Sequence, residues 1–299
     1  MTHRGSWFLI VATLGGLGLL GGCHPGRGVA TGPDPEQPQT LPAQAAVACG
    51  PGDAAARSGA LVLALPGDVT PANAPLPSSE AERHLFAALY ETLVRVDCTG
   101  AAVPALAGGW ESFADGRRWL LHLRPGARFW TGDAVDADAV VASWRRSEAL
   151  CRLRGEPSPF LDFDPRGQAV SALDRSTVEV TLATPRPQFP LQLAHPALAV
   201  VGPSDGRGWL AGSGPCRPDG PPGARSVRLL PQADHPEAPI WPSLDLALTG
   251  VGPDGDDPRD ALATGADAIV TRARSVREFY AGQPGLQELD LPWAAGTTS

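Results

Sequence analysis

The sequence predicts an α/β fold with a mixed sheet, and three features predict it. A short apolar run at 60–66, ALVLALP, sits between Gly59 and Pro66-Gly67-Asp68, the length and flanks of a buried strand. After a proline-rich loop, Leu85, Phe86, Leu89, Leu93 and Val96 recur at three- and four-residue steps, the stripe of an amphipathic helix. Further on, Val178, Val180 and Leu182 alternate within TVEVTLA, the period of a strand with one buried face. Helices and strands intermix without strict alternation, so the expected sheet is mixed.

Each element has a local cause. Ser79-x-x-Glu82 is a capping box, which satisfies two orphan amide donors at a helix start. In RRWLLHLRPGARFW, Trp119, Leu121 and Leu123 share one face and Pro125-Gly126 supplies a turn, which predicts a hairpin. Asp136 is an N-cap, and Val135 can close on Val140 as a hydrophobic staple, with Val141 and Trp144 carrying the buried stripe onward. Strands are expected again in ALAVVG at 197–202, in RSVRLLP and in SLDLALTG, and a short helix between Asp257-Pro258 and Gly265.

The N-terminus reads differently. Trp7 to Leu20 is fourteen residues without a charge, behind a weakly basic start. That is short of the roughly 20 residues that span a bilayer, and it describes an export signal. Gly15, Gly16 and Gly18 in its second half, with Gly21 just beyond it, make it a poor helix, each costing about 1 kcal/mol against alanine. Leu20-Gly21-Gly22-Cys23 resembles a bacterial lipobox, which makes Cys23 the expected lipid attachment site and 1–22 the expected leader. Residues 23–59 are rich in Pro, Gly and Ala without apolar periodicity, a flexible tether.

Loss of 1–22 removes Arg4 and no acid, leaving 23 basic against 32 acidic side chains. A net charge of −9 argues against a nucleic-acid partner, since phosphate binding needs a basic footprint. All basic residues are arginine. With Cys23 set aside, Cys49, Cys98, Cys151 and Cys216 remain, an even number in an exported chain. Neighbour order suggests Cys49 with Cys98 and Cys151 with Cys216; free buried thiols are the alternative.

Enzyme motifs do not emerge. The six histidines are scattered, AGSGP has Ala211 where a nucleophile elbow needs glycine, and no lysine exists for a phosphate loop. DGDDPRDA from Asp254 fails as a calcium loop, because Arg259 holds the obligatory glycine position and Gly265 the terminal glutamate position. The expectation is a protein that is not an enzyme and carries no metal or cofactor.

A resemblance enters at 89–146. Tyr90-Glu91-x-Leu93-Val94, Pro104-x-Leu106-Ala107-x-x-Trp110, Asp115-Gly116, Leu123-Arg124-x-Gly126 and Phe129-x-x-Gly132, followed by Asp138, Val140 and Ser143, resemble the family 5 extracellular solute-binding proteins. Gly212-Ser213-Gly214-Pro215, DALATGADAIV and LQELDLPW continue the likeness in register to about residue 293. The resemblance implies a first lobe of the periplasmic-binding-protein type II kind at 60–285, with 286–299 beginning the crossover to a second lobe that is largely absent. It also implies a receptor for a peptide or other small solute that delivers ligand to an ABC permease in the inner membrane. A single lobe is expected to hold solute weakly, since a buried ligand loses most of its surface to protein.

The implied pocket wall is the loop after the first strand, where Asp68 and Thr70 are the polar candidates, joined by Trp130, Trp209, Gly212, Ser213 and Gly214. Core packing is the competing account of both indoles, and a plain turn that of Asp68. The rival reading of the whole chain is a degenerate single-lobe envelope lipoprotein that binds a protein partner and no solute. His24 after the anchored cysteine, in place of aspartate, resembles the sorting signal for the outer membrane.

Overall fold

The computed structural model describes residues 39–40, 59–113, 116–160, 162–239, 241–250, 265–271 and 274–281, all within one unit, Pro35–Ser299. Cys23, Cys49 and the helix expected between Asp257 and Gly265 lie outside the described residues, apart from Gly265 itself. The elements in chain order are β1 (Gln39–Thr40), β2 (Leu61–Pro66), α1 (Glu80–Leu89), β3 (Val94–Val96), β4 (Ala102–Pro104), β5 (Ala107–Phe113), β6 (Arg118–Leu123), α2 (Ala137–Arg154), β7 (Val170–Asp174) and β8 (Thr177–Thr181). They continue with α3 (Phe189–Gln192), β9 (Cys216–Pro218), β10 (Ser226–Pro231), β11 (Leu244–Thr249), β12 (Ala268–Ile269) and α4 (Arg274–Tyr280).

One sheet, β1-β5-β6-β8-β7, is antiparallel throughout. The other, β12-β2-β11-β10-β9, is mixed: β2 lies parallel to β11 and β12, while β10 is antiparallel to β11 and β9. The mixed sheet meets the expectation, and β2, β8, β10 and β11 fall where the pattern placed them. Among the described residues no helix is long and apolar enough to cross a membrane.

Two apolar cores follow from the two sheets. Trp119, Leu121 and Leu123 on the inner face of β6 pack with Val178 and Val180 of β8 and with Val140, Val141 and Trp144 of α2. Burial of each such side chain stabilises by about 1.5–3 kcal/mol. Val135 and Val140 share this core, as the staple requires, and Asp136 Oδ1 accepts from the Ala139 amide at 3.0 Å. Leu65, Leu85, Phe86, Leu89, Val227, Leu229, Leu246 and Leu248 form the second core between α1 and the mixed sheet.

Four expectations are corrected. The α1 helix stops at Leu89, so Leu93 and Val96 do not extend its stripe; Val94–Val96 instead pairs with Ala102–Pro104. The hairpin across Pro125-Gly126 does not form, because β6 is already paired on both sides by β5 and β8. Residues 197–202 make no ladder: a 3-10 turn, Pro196–Leu198, leads into an extended stretch held by α2, where Trp144 Nε1 donates to the Leu198 carbonyl at 2.8 Å and Ser143 Oγ accepts from the Val201 amide at 2.9 Å. Cys151 and Cys216 are both free and buried, not paired, because Cys151 belongs to the first core and Cys216 to the second. Cys98 is disulfide-bonded.

Candidate functional site

The loop after β2 is built around one buried carboxylate. Glu82, 1 % exposed, accepts from the Thr70 amide (2.7 Å) and Asn73 Nδ2 (2.7 Å) at Oε1, and from the Ser78 amide (2.6 Å) and Ser78 Oγ (2.9 Å) at Oε2. Only half of the capping box behaves as expected. Ser79 Oγ accepts from the Glu82 amide at 3.0 Å, but the Glu82 side chain reaches past the cap to gather the loop. From the other side, α2 contributes Arg146 to the Ala72 carbonyl (3.1 Å) and Arg154 to the Leu76 carbonyl (3.0 Å) and to Asn73 Oδ1. A loop held by this many charge-assisted bonds is pre-organised. On it, Asp68 and Thr70 are both exposed, and the Asp68 carbonyl accepts from Ser79 Oγ at 2.7 Å.

The second wall is the run at 212–214, pressed against the end of α1. The Gly214 amide donates to the Leu89 carbonyl at 3.0 Å, and the Trp130 amide donates to the Gly212 carbonyl at 2.9 Å. A Cβ at residue 212 would lie 2.1 Å from the Leu89 carbonyl oxygen, and one at 214 would lie 2.6 Å from the Leu89 carbonyl carbon. Only glycine permits that approach, which is the physical content of the motif. Between them Ser213 is 2 % exposed, and its hydroxyl has no hydrogen-bond partner. A buried, unsatisfied hydroxyl costs free energy until water or ligand meets it.

Trp130 and Trp209 part company. Trp209 is 1 % exposed inside the second core, its Nε1 donating to the Gly220 carbonyl at 2.9 Å, so it is a core residue. Trp130 is half-buried and packs against both cores, its ring 6.0 Å from that of Tyr90 at 36°. Tyr90 is fixed in turn by donating to the Leu210 carbonyl at 3.1 Å. Burial pushes its phenol well above the ordinary range, with the Asp205 charge adding to the rise and Arg146 opposing it. Trp130 with 212–214 therefore meets Tyr90 at one place, while Asp68 and Thr70 stand on the loop that Glu82 organises.

Sequence reasoning missed a third cluster. Arg124 Nη1 and Nη2 each lie 2.9 Å from the two carboxylate oxygens of Glu91, and Nη1 also donates to the Ala105 carbonyl at 2.8 Å. His235 Nε2 is 3.1 Å from Glu91 Oε1. The Glu237 amide donates to His235 Nδ1 at 3.0 Å, which assigns the ring proton to Nε2. Burial raises the Glu91 carboxyl, but the close His235 ring and the hydrogen bonds and positive charge of Arg124 outweigh it and hold the group below its ordinary value. The available signal was charge complementarity between two motifs of the resemblance; the His235 loop gave none. Among the described residues, no three His, Cys, Asp or Glu side chains gather as a metal site.

Comparison with known proteins gives this arrangement a context. Residues 101–220 match the family described as bacterial extracellular solute-binding proteins, family 5 Middle. The probable deoxycholate-binding periplasmic protein YgiS of Escherichia coli is 32 % identical over 133 residues, 38 % of this chain and 24 % of that protein. The periplasmic oligopeptide-binding protein OppA of Escherichia coli is 31 % identical over 143 residues, 42 % of this chain and 25 % of that one. Among solved structures, the murein tripeptide binding protein MppA of Escherichia coli superposes with a TM-score of 0.59 at 20 % identity, over 75 % of this chain and 48 % of that one. An oligopeptide-binding protein from Borrelia burgdorferi gives a TM-score of 0.57 at 19 % identity, over 70 % and 46 %. The matched chain thus spans about a quarter of these curated relatives' length and just under half of these solved structures, whose fold it shares.

Proposed function

We propose that the chain, whose residues 101–220 match the family of bacterial extracellular solute-binding proteins, family 5, holds a small solute or short peptide for an ABC importer. In this reading it acts in the cell envelope, tethered by an acylated Cys23, with 1–22 as leader, 23–59 as tether, 60–285 as the solute-binding lobe and 286–299 as the start of a crossover. It hands solute to an inner-membrane permease. The observation that carries the reading is the junction of Trp130, Tyr90 and 212–214. A half-buried indole meets the 212–214 run, which carries a buried hydroxyl without a partner on backbone held by Leu89. An apolar surface with one or two placed polar groups is what small-molecule sites offer.

The test is tryptophan fluorescence and calorimetric titration of the full chain against a peptide pool and nickel chelates. Binding that weakens about tenfold or more (1.4 kcal/mol) in Trp130→Ala and in Ser213→Ala supports the site. Saturable binding that both variants retain at full strength moves the site elsewhere.

A further inference from the structure

Gln39–Thr40 lies within the stretch read as tether, yet it is paired with the body. Gln39 stands opposite Ser112 and Thr40 opposite Glu111, on the outer edge of β5. We propose that this segment is a latch: it closes the β5 edge and sets how far the folded body reaches from the membrane. The reach rests on the reading of Cys23 as the lipid anchor.

The sequence around the latch is suited to the task. It reads Pro38-Gln39-Thr40-Leu41-Pro42. Neither proline has an amide hydrogen to donate, which limits any ladder to the residues between them. The edge it covers needs covering. Open β5 would present unpaired amides and carbonyls to any passing strand.

The cysteines point the same way. Cys98 is disulfide-bonded while Cys151 and Cys216 are free. Of the five cysteines, its partner is therefore Cys23 or Cys49. A Cys23 whose sulfur carries lipid leaves Cys49. Residues 39–40 then sit ten or fewer positions from a covalent attachment to the body, which keeps their effective concentration at β5 high.

The latch divides the tether. With residue 39 docked, the arm from Cys23 extends at most about 55 Å; released as far as Cys49, it extends to about 90 Å. Docking therefore shortens the arm that separates the body from its bilayer.

Hydrogen exchange of the full chain decides the latch. Of the Glu111 and Ser112 amides, one faces β1 and the other faces β6, so the second is an internal reference. Gln39→Pro with Thr40→Pro is expected to speed exchange of the β1-facing amide about tenfold or more, with the reference amide and the melting midpoint unchanged. Gln39→Ala with Thr40→Ala, which keeps the backbone donors, is expected to retain protection. Because proline keeps its carbonyl, deletion of 38–42 is the decisive arm: protection of the β1-facing amide that persists there overturns the proposal, because something other than this segment then covers the edge. For reach, energy transfer is measured from a dye on the body to labelled phosphatidylethanolamine/phosphatidylglycerol vesicles bearing the lipidated chain. A longer distance in the double-proline variant supports the assignment, and an unchanged distance overturns it. An unmodified Cys23 by mass spectrometry overturns the anchor and the reach together, while the exchange result still decides the latch.

Discussion

Glu91 and Arg124 meet in a two-pronged ion pair across 33 positions of sequence, with both N–O distances at 2.9 Å. Each belongs to a different motif of the resemblance, Tyr90-Glu91 and Leu123-Arg124. Their side chains are 11 % and 23 % exposed. Removing one partner of such a buried pair leaves an uncompensated charge, at a cost of about 3–5 kcal/mol. Arg124→Met is therefore expected to lower unfolding free energy by about 3 kcal/mol. Glu91→Gln with Arg124→Met should recover part of that loss, as read by urea denaturation.

The same carboxylate sets an acid limit. Glu91 titrates below its ordinary value of 4.5 in the folded state. As pH falls, the unfolded chain takes up the proton first, so the unfolded state binds more protons and stability declines. The contribution is complete above the ordinary carboxylate value and is lost as pH drops through the folded one. Melting curves between pH 3 and 7 should show wild type losing its advantage over Glu91→Gln only below about pH 4.5.

Local pattern was enough wherever local pattern decides. The β2, β8, β10 and β11 strands were legible from apolar runs and alternation, and both helix starts from Ser79 and Asp136. What escaped was set by contacts distant in sequence. Leu93 and Val96 continue the helical period of α1, but the Gly214 amide claims the Leu89 carbonyl that a longer helix would use, and the chain turns there into β3. The Pro125-Gly126 turn looked like a hairpin closure because the competing partner of β6, β8, begins more than fifty residues later. At the site, Trp130 and 212–214 were found through resemblance. The His235 contact was invisible, since it depends on where a loop after β10 lands. Glu82 was legible as a cap and illegible as the centre of a four-donor cluster.

Glycine substitutions separate steric necessity from backbone preference. Gly212→Ala places a methyl 2.1 Å from the Leu89 carbonyl oxygen and 2.6 Å from Trp130 Cζ3, so helix end or indole must move. The expected cost is about 3 kcal/mol, the upper end of core overpacking, and the displaced Trp130 should shift the emission maximum. Gly126→Ala meets nothing within 4 Å and suffers only its φ of +76°. It should cost about 1 kcal/mol and leave the spectrum unchanged. Equal penalties from urea denaturation would show that the approach of 212–214 to α1 has been misjudged.

Thiol chemistry tests the core assignment of the cysteines. Burial pushes the Cys216 thiol up to about 11, and burial together with Glu156 and Glu148 raises Cys151 as well. Since the thiolate is the nucleophile, both should react slowly in the folded chain. At pH 8, a thiol-disulfide reagent is expected to label neither residue quickly, and to label both once the chain is unfolded in guanidinium without reductant. Peptide mapping should find the modifications on Cys151 and Cys216 and none on Cys98, whose sulfur is already in a disulfide. A mapped crosslink between Cys151 and Cys216 would contradict their placement in separate cores. Rapid labelling of either residue before unfolding would mean that its core opens on the timescale of the reaction, and Cys151→Ser and Cys216→Ser would then identify which one.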